Sequence, residues 1–162
     1  MFDIQLNKMQ FWFKIFTIFS ILLNSEFGFG QISLTNFNKE FSQNPKPILL
    51  YFSTDWCAYC KIQDREFNKN IDLINSLSEK YYFIKLDGES LDDFIFLGNK
   101  YSSNSNEIKK STHDFVKVFL SVNEQETYPF WIVLNQNLEI IGKEFGFLDQ
   151  SKLKKLYQIE IK

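Results

Sequence analysis

A short apolar run placed directly before the chain's only two cysteines constrains this sequence most. Ile48-Leu49-Leu50-Tyr51-Phe52 is continuous, apolar and bounded by turn residues, which reads as a buried central strand. Asn44-Pro45-Lys46-Pro47 stops any helix before it, because proline forces its predecessor toward extended backbone. Ser53-Thr54-Asp55 then forms a polar elbow, and Trp56 and Cys57 lead into a helix expected to reach about Asn68. Cys57 and Cys60 therefore fall at the start of a helix that follows a buried strand.

The rest of the chain supplies matching layers. Leu34, Phe37 and Phe41 have helical spacing, and Ile71, Ile74, Leu77 and Tyr81 continue a helical period after a kink near Asn68–Asn70. Tyr82 to Leu86 predicts a second strand, ended by Asp87-Gly88. Phe94–Leu97 and Lys100–Ser102 read as a hairpin turning at Gly98-Asn99. A polar surface loop follows to Ser111. Thr112 to Val122 is expected to be a helix capped by Ser111 or Thr112, with Phe115, Phe119 and Val122 on one face. His113, near its start, reads as a surface residue. Phe130–Leu134 and Leu138–Ile141 flank Asn135-Gln136-Asn137 as another hairpin; Gly146 interrupts, and Leu148–Gln158 closes the chain as a helix through Leu153, Leu156 and Tyr157. The order predicts an α/β fold with a central mixed sheet flanked by helices. At 162 residues the chain suits one domain, and a net charge of −2 gives no electrostatic case for nucleic acid. The 19 phenylalanines read as core rather than as a ligand site.

Residues 1–30 carry a different pattern. Lys8 and Lys14 precede Ile15-Phe16-Thr17-Ile18-Phe19-Ser20-Ile21-Leu22-Leu23, and Gly28-Phe29-Gly30 ends the segment with small residues. Charged start, short apolar centre and small-residue end make a secretory signal peptide. The apolar centre falls short of the roughly 20 residues of a membrane span. The expectation is cleavage near Gly30/Gln31 and a domain of residues 31–162 working in the periplasm or outside the cell. An uncleaved membrane anchor or an amphipathic helix is the alternative.

Two thiols at a helix start have a chemical consequence. The unpaired N–H groups and dipole there favour a thiolate, the nucleophile of disulfide exchange. Cys60, one turn on, is close enough to attack a mixed disulfide formed at Cys57. Lys61 adds positive charge nearby and Asp55 opposes it. A zinc or copper site is the main rival, yet only Cys57, Cys60 and His113 offer suitable ligands, fewer than a structural zinc site needs. A purely structural bridge is the other alternative, but so short a loop removes little unfolded-chain entropy. No metal and no cofactor are expected.

Lys46 through Lys61, with Trp56-Cys57-Ala58-Tyr59-Cys60 at its end, resembles the strand–Trp–CxxC–Lys signature of the thioredoxin superfamily. It is most similar to exported bacterial members and to the C-terminal domain of the transmembrane thiol:disulfide interchange protein. Thr127-Tyr128-Pro129-Phe130 before Trp131-Ile132-Val133-Leu134 looks like the family's cis-proline loop and next strand, and Gly146 matches a family glycine. The resemblance spans about Phe37 to Tyr157. It implies a thioredoxin-like fold with an insertion, about Phe94 to Ser111, ahead of the cis-proline strand. It also implies that Cys57 attacks, Cys60 resolves, and Trp56, Tyr128 and Pro129 bind substrate. The family's buried acid aligns with Tyr51, and its usual lysine partner with Lys85, which leaves the proton acceptor for Cys60 open. The function implied is a protein-disulfide reductase, with an isomerase or oxidase, or a metal-binding or adaptor module, as alternatives. Its partners would be protein or peptide disulfides and a membrane or periplasmic electron donor, and the chain is expected to be a monomer.

Overall fold

The computed structural model describes residues 32–106 and 108–158. The signal-peptide reading of residues 1–30 and the cleavage point at Gln31 lie outside the described residues. Helix α1 (Leu34–Gln43) starts at Ser33, whose side chain accepts the Asn36 N–H, and buries Phe37 and Phe41. Strand β1 (Ile48–Ser53) is buried at every position. It pairs in parallel with β2 (Tyr82–Asp87) and antiparallel with β5 (Phe130–Leu134), and β5 pairs with β6 (Ile140–Phe145). The mixed sheet thus runs β2-β1-β5-β6, with β1 central as its sequence predicts.

Alternation along β1 divides the core in two. Ile48, Leu50 and Phe52 face α1 and the chain from Phe94 to Phe119, in a cluster that also holds Cys57, Cys60 and Tyr128. Leu49 and Tyr51 face the other way, toward Phe67, Ile74, Leu77, Trp131, Leu153 and Leu156. These come largely from three helices: α2 (Ala58–Lys69), α3 (Ile71–Lys80) and α5 (Gln150–Gln158). Where the sequence suggests a kink, Asn70 ends one helix and begins the next. Its N–H bonds the Glu66 and Phe67 carbonyls, and its side chain accepts the Leu73 N–H at 3.2 Å. Tyr157 lies in α5, but its side chain is outside the described residues.

Three expectations are corrected on the α1 side of the sheet. The hairpin strands are β3 (Phe94–Phe96) and β4 (Asn99–Tyr101), so the turn is Leu97-Gly98, one residue earlier than predicted. Both turn residues have positive φ, 49° and 82°, the conformation that suits a tight two-residue hairpin. This register sends Phe94 and Phe96 inward together. The helix expected over Thr112–Val122 is only α4 (Asp114–Lys117), capped by His113 rather than Ser111 or Thr112. After it the bonds shorten to Phe119 N–H on Val116 O and Leu120 N–H on Lys117 O. A turn at Ser121–Glu124 follows, and Val122 stands 92% exposed instead of on the buried face. His113, expected at the surface, is fully buried with its ring stacked 4.1 Å from that of Phe94.

Candidate active site around the cysteine pair

The end of β1 and the start of α2 make the site. Cys57 has extended backbone and caps α2, its Sγ accepting the Cys60 N–H at 3.0 Å. Cys57 and Cys60 form a disulfide across a Cα–Cα distance of 5.2 Å. Both are almost wholly covered, whereas Trp56 and Tyr59 beside them are 65% and 62% exposed. Trp56 is held at two points: its indole N–H donates to Glu89 at 2.8 Å, and its ring meets the Tyr128 ring edge-on at 6.1 Å.

Tyr128 and Pro129 form the opposite wall. The peptide bond between them is cis, and the Pro129 carbonyl accepts the Gly146 N–H. The Tyr128 hydroxyl donates to the Gly88 carbonyl at 3.2 Å. Burial, helped by the nearby carboxylates of Glu89, Glu126 and Asp87 and opposed by a hydrogen bond with the Thr112 side chain, pushes its phenol far above the ordinary range. Gly88 is needed sterically, because a Cβ there would overlap the Tyr128 ring. Trp56, Cys57, Cys60, Tyr128 and Pro129 thus converge at one end of the sheet.

Tyr51 and Lys85 lie behind the cysteines, and they reveal a residue that sequence reasoning missed. Asp64 sits one turn beyond Cys60 on α2, the i,i+4 relation that places two side chains on one helix face. Lys85 Nζ lies 2.8 Å from both Asp64 oxygens. The Tyr51 hydroxyl, buried in a stack with Trp131, lies 3.4 Å from Asp64 Oδ1 and from the Cys60 carbonyl. Its burial, with the Asp64 charge, drives the phenol well above its ordinary value, so it stays protonated and donates. Cys60, Asp64, Lys85 and Thr54 line one open cavity of about 430 Å³. Thr54 leaves its buried hydroxyl without a partner. The Cys60–Asp64 spacing was the available signal; the Lys85 pairing that identifies it joins residues far apart in sequence.

Among the described residues no cluster of three or more His, Cys, Asp or Glu side chains is placed to hold a metal. His113 is committed elsewhere, its Nδ1 accepting the Phe115 N–H and its Nε2 facing the Asp92 carbonyl.

A family model described as a thioredoxin-like domain matches residues 37–158. Among solved structures, the chain is similar to thioredoxin-2 of the malaria parasite, described as a component of its protein secretion machinery. That match has 21% identity over 71% of this chain and 84% of that one, with a TM-score of 0.46. A thioredoxin-fold protein from Helicobacter pylori matches at 13% identity over 82% and 86% of the two chains, TM-score 0.48. The reduced C-terminal domain of DsbD from Neisseria meningitidis matches at 14% identity over 78% and 97%, TM-score 0.42. No curated protein matches the chain.

Proposed function

The chain belongs to the thioredoxin-like domain family, and on that premise we propose that it is an exported thiol–disulfide oxidoreductase that reduces protein or peptide disulfides. The observation that carries this reading is the position of Cys57 as the cap of α2, with its sulfur on the Cys60 N–H. In the dithiol that N–H faces the Cys57 sulfur and favours its thiolate.

The thiolate attacks one sulfur of a substrate disulfide, forming a mixed disulfide and expelling the other sulfur as a thiolate. The Cys60 thiol gives its proton, through water in the cavity, to Asp64. Cys60 then attacks Cys57 Sγ, releasing the reduced substrate and closing the Cys57–Cys60 disulfide. The substrate gains the two electrons that the dithiol loses. A membrane or periplasmic dithiol donor restores them. Lys85 holds the Asp64 carboxylate in place, and Tyr51 contributes a hydrogen bond. Trp56 and the Tyr128–Pro129 wall receive an extended substrate segment, whose main chain supplies sequence-tolerant contacts. The pattern of residues 1–30 supports work outside the cytoplasm.

Two measurements test the reading. The Cys57–Cys60 couple should have a reduction potential near or below about −270 mV; a value near −120 mV would make it an oxidase. Insulin reduction should be lost in Cys57→Ser. Equal rates in variant and wild type would exclude this site.

A further inference from the structure

Gly88 is where the Tyr128 wall meets the chain that leads into α4. Its N–H donates to Ser53 O at the end of β1, and its carbonyl accepts both the Tyr128 hydroxyl and the His113 N–H. The Tyr128 ring lies over it so closely that no Cβ fits. His113, the only histidine in the sequence, is therefore one hydrogen bond from the carbonyl that holds Tyr128.

The His113 ring is locked by backbone on both sides. Nδ1 lies 3.1 Å from the Phe115 nitrogen and accepts its N–H, so in the neutral ring the proton sits on Nε2 and points at Asp92 O, also 3.1 Å away. A second proton has one place to go, Nδ1, where it would oppose the Phe115 N–H. The ring, fully buried against Phe94, cannot turn that nitrogen to solvent without leaving its slot.

Charged groups surround the slot. Asp93, before β3, pairs with Lys100 of β4 and takes the Ser103 N–H. Asp114 of α4 pairs with Lys117 and Asn104. The Asp92 carbonyl and the Asp114 and Asp93 charges favour the protonated ring, and Lys117 opposes it. Burial outweighs them and holds the ring's pKa below its ordinary value of 6.5.

We propose that His113 is a positioning residue for substrate binding, and that its protonation loosens the Gly88 carbonyl and with it the Tyr128 wall beside the cysteine pair. The proposal rests on the reductase reading for its consequence, since Tyr128 is there the substrate wall. The neutral ring braces the wall at neutral pH, and the brace is lost as pH falls from about 6.5 through the lower folded-state value.

A single histidine gives a single ring signal, so the full chain labelled in histidine carbon can be titrated by NMR. The ring should titrate below 6.5. Trp56 emission, taken as the difference from a Trp56→Phe chain, should change with the same midpoint. The KM for a peptide disulfide should rise at least about threefold between pH 7 and pH 5 relative to His113→Asn, with the kcat ratio unchanged. In that variant the amide oxygen accepts the Phe115 N–H but takes up no proton in this range. Titration at or above 6.5, emission indifferent to the ring, or the same KM profile in both chains would overturn the proposal. If the wild type reduces no disulfide, the reductase reading fails while the emission titration still decides this one. Should His113→Asn not fold, exchange of the Phe115 amide in the wild type decides. Acceleration at the ring's midpoint supports the brace, and constant protection removes it.

Discussion

The two faces of the sheet are built by different rules. One is roofed by α2, α3 and α5, regular helices whose apolar residues recur at helical spacing. The other is covered by α1 and by the chain from Phe94 to Phe119, which holds one short hairpin and a single helical turn. That second cover, with little regular structure of its own, is stitched by side chains bonding to backbone. Asn38 donates to Ile95 O and accepts the Leu97 N–H, and Ser105 bonds the Ser111 carbonyl and N–H. The helical cover adds such bonds, Gln63 to Leu148 and Tyr81 to the Leu156 carbonyl, to its regular helices. The proposed site draws on both. Cys57 and Cys60 start α2 in the irregular cluster, Phe67 further along that helix belongs to the regular one, and Tyr128 rests on the stitched side. Asp64 thus lies on a helix of the regular face, and Tyr128 packs in the cluster on the stitched one.

The sharpest way to break this contrast is at the stack of Trp131 on Tyr51, whose rings lie 4.3 Å apart in the regular cluster. Trp131→Ala should cost about 3–5 kcal/mol, read from the denaturant midpoint. A cost below about 1 kcal/mol would mean that the Tyr51–Trp131 stack is not a main support of that face.

Asp64→Asn tests the proposed chemistry on α2. Resolution of the mixed disulfide at neutral pH should slow about tenfold to a hundredfold, or about 1.4–2.7 kcal/mol of barrier. The deficit should shrink as pH approaches about 8.5, where a thiol ionises unaided. Rapid quench of a single turnover measures both. An equal deficit at every pH would assign Asp64 a purely structural part.

On the stitched side, Gly88→Ala places a methyl group against the Tyr128 ring. The expected cost is about 1–3 kcal/mol of overpacking, together with a raised KM. Unchanged KM and stability would show that the ring moves aside freely.

What the sequence made legible follows the same divide. The run Ile48–Phe52, the cysteines at a helix start and the Leu153/Leu156 face are local signals, written in consecutive or periodic residues. Asn70 shows their limit: the break was visible, but not that one asparagine caps two helices in succession. His113 and Asp64 escaped for another reason. Each takes its meaning from groups brought near by topology: Gly88 and Asp92 for the histidine, Lys85 on β2 for the aspartate. Helical spacing also misled at Phe115, Phe119 and Val122, where the first two are buried and the third is not.

Val122 gives the smallest effect and separates the two descriptions of that segment most cleanly. If residues 112–122 formed one helix with Val122 on its inner face, Val122→Ser would forfeit about 1.5–3 kcal/mol of apolar burial. With α4 ended at Lys117 and Val122 at 92% exposure, the substitution should leave stability within about 0.5 kcal/mol of wild type. Thermal or denaturant unfolding of the two chains side by side distinguishes these values. A loss of the larger size would restore the helix that the spacing predicts and move the stitched face toward the regular one.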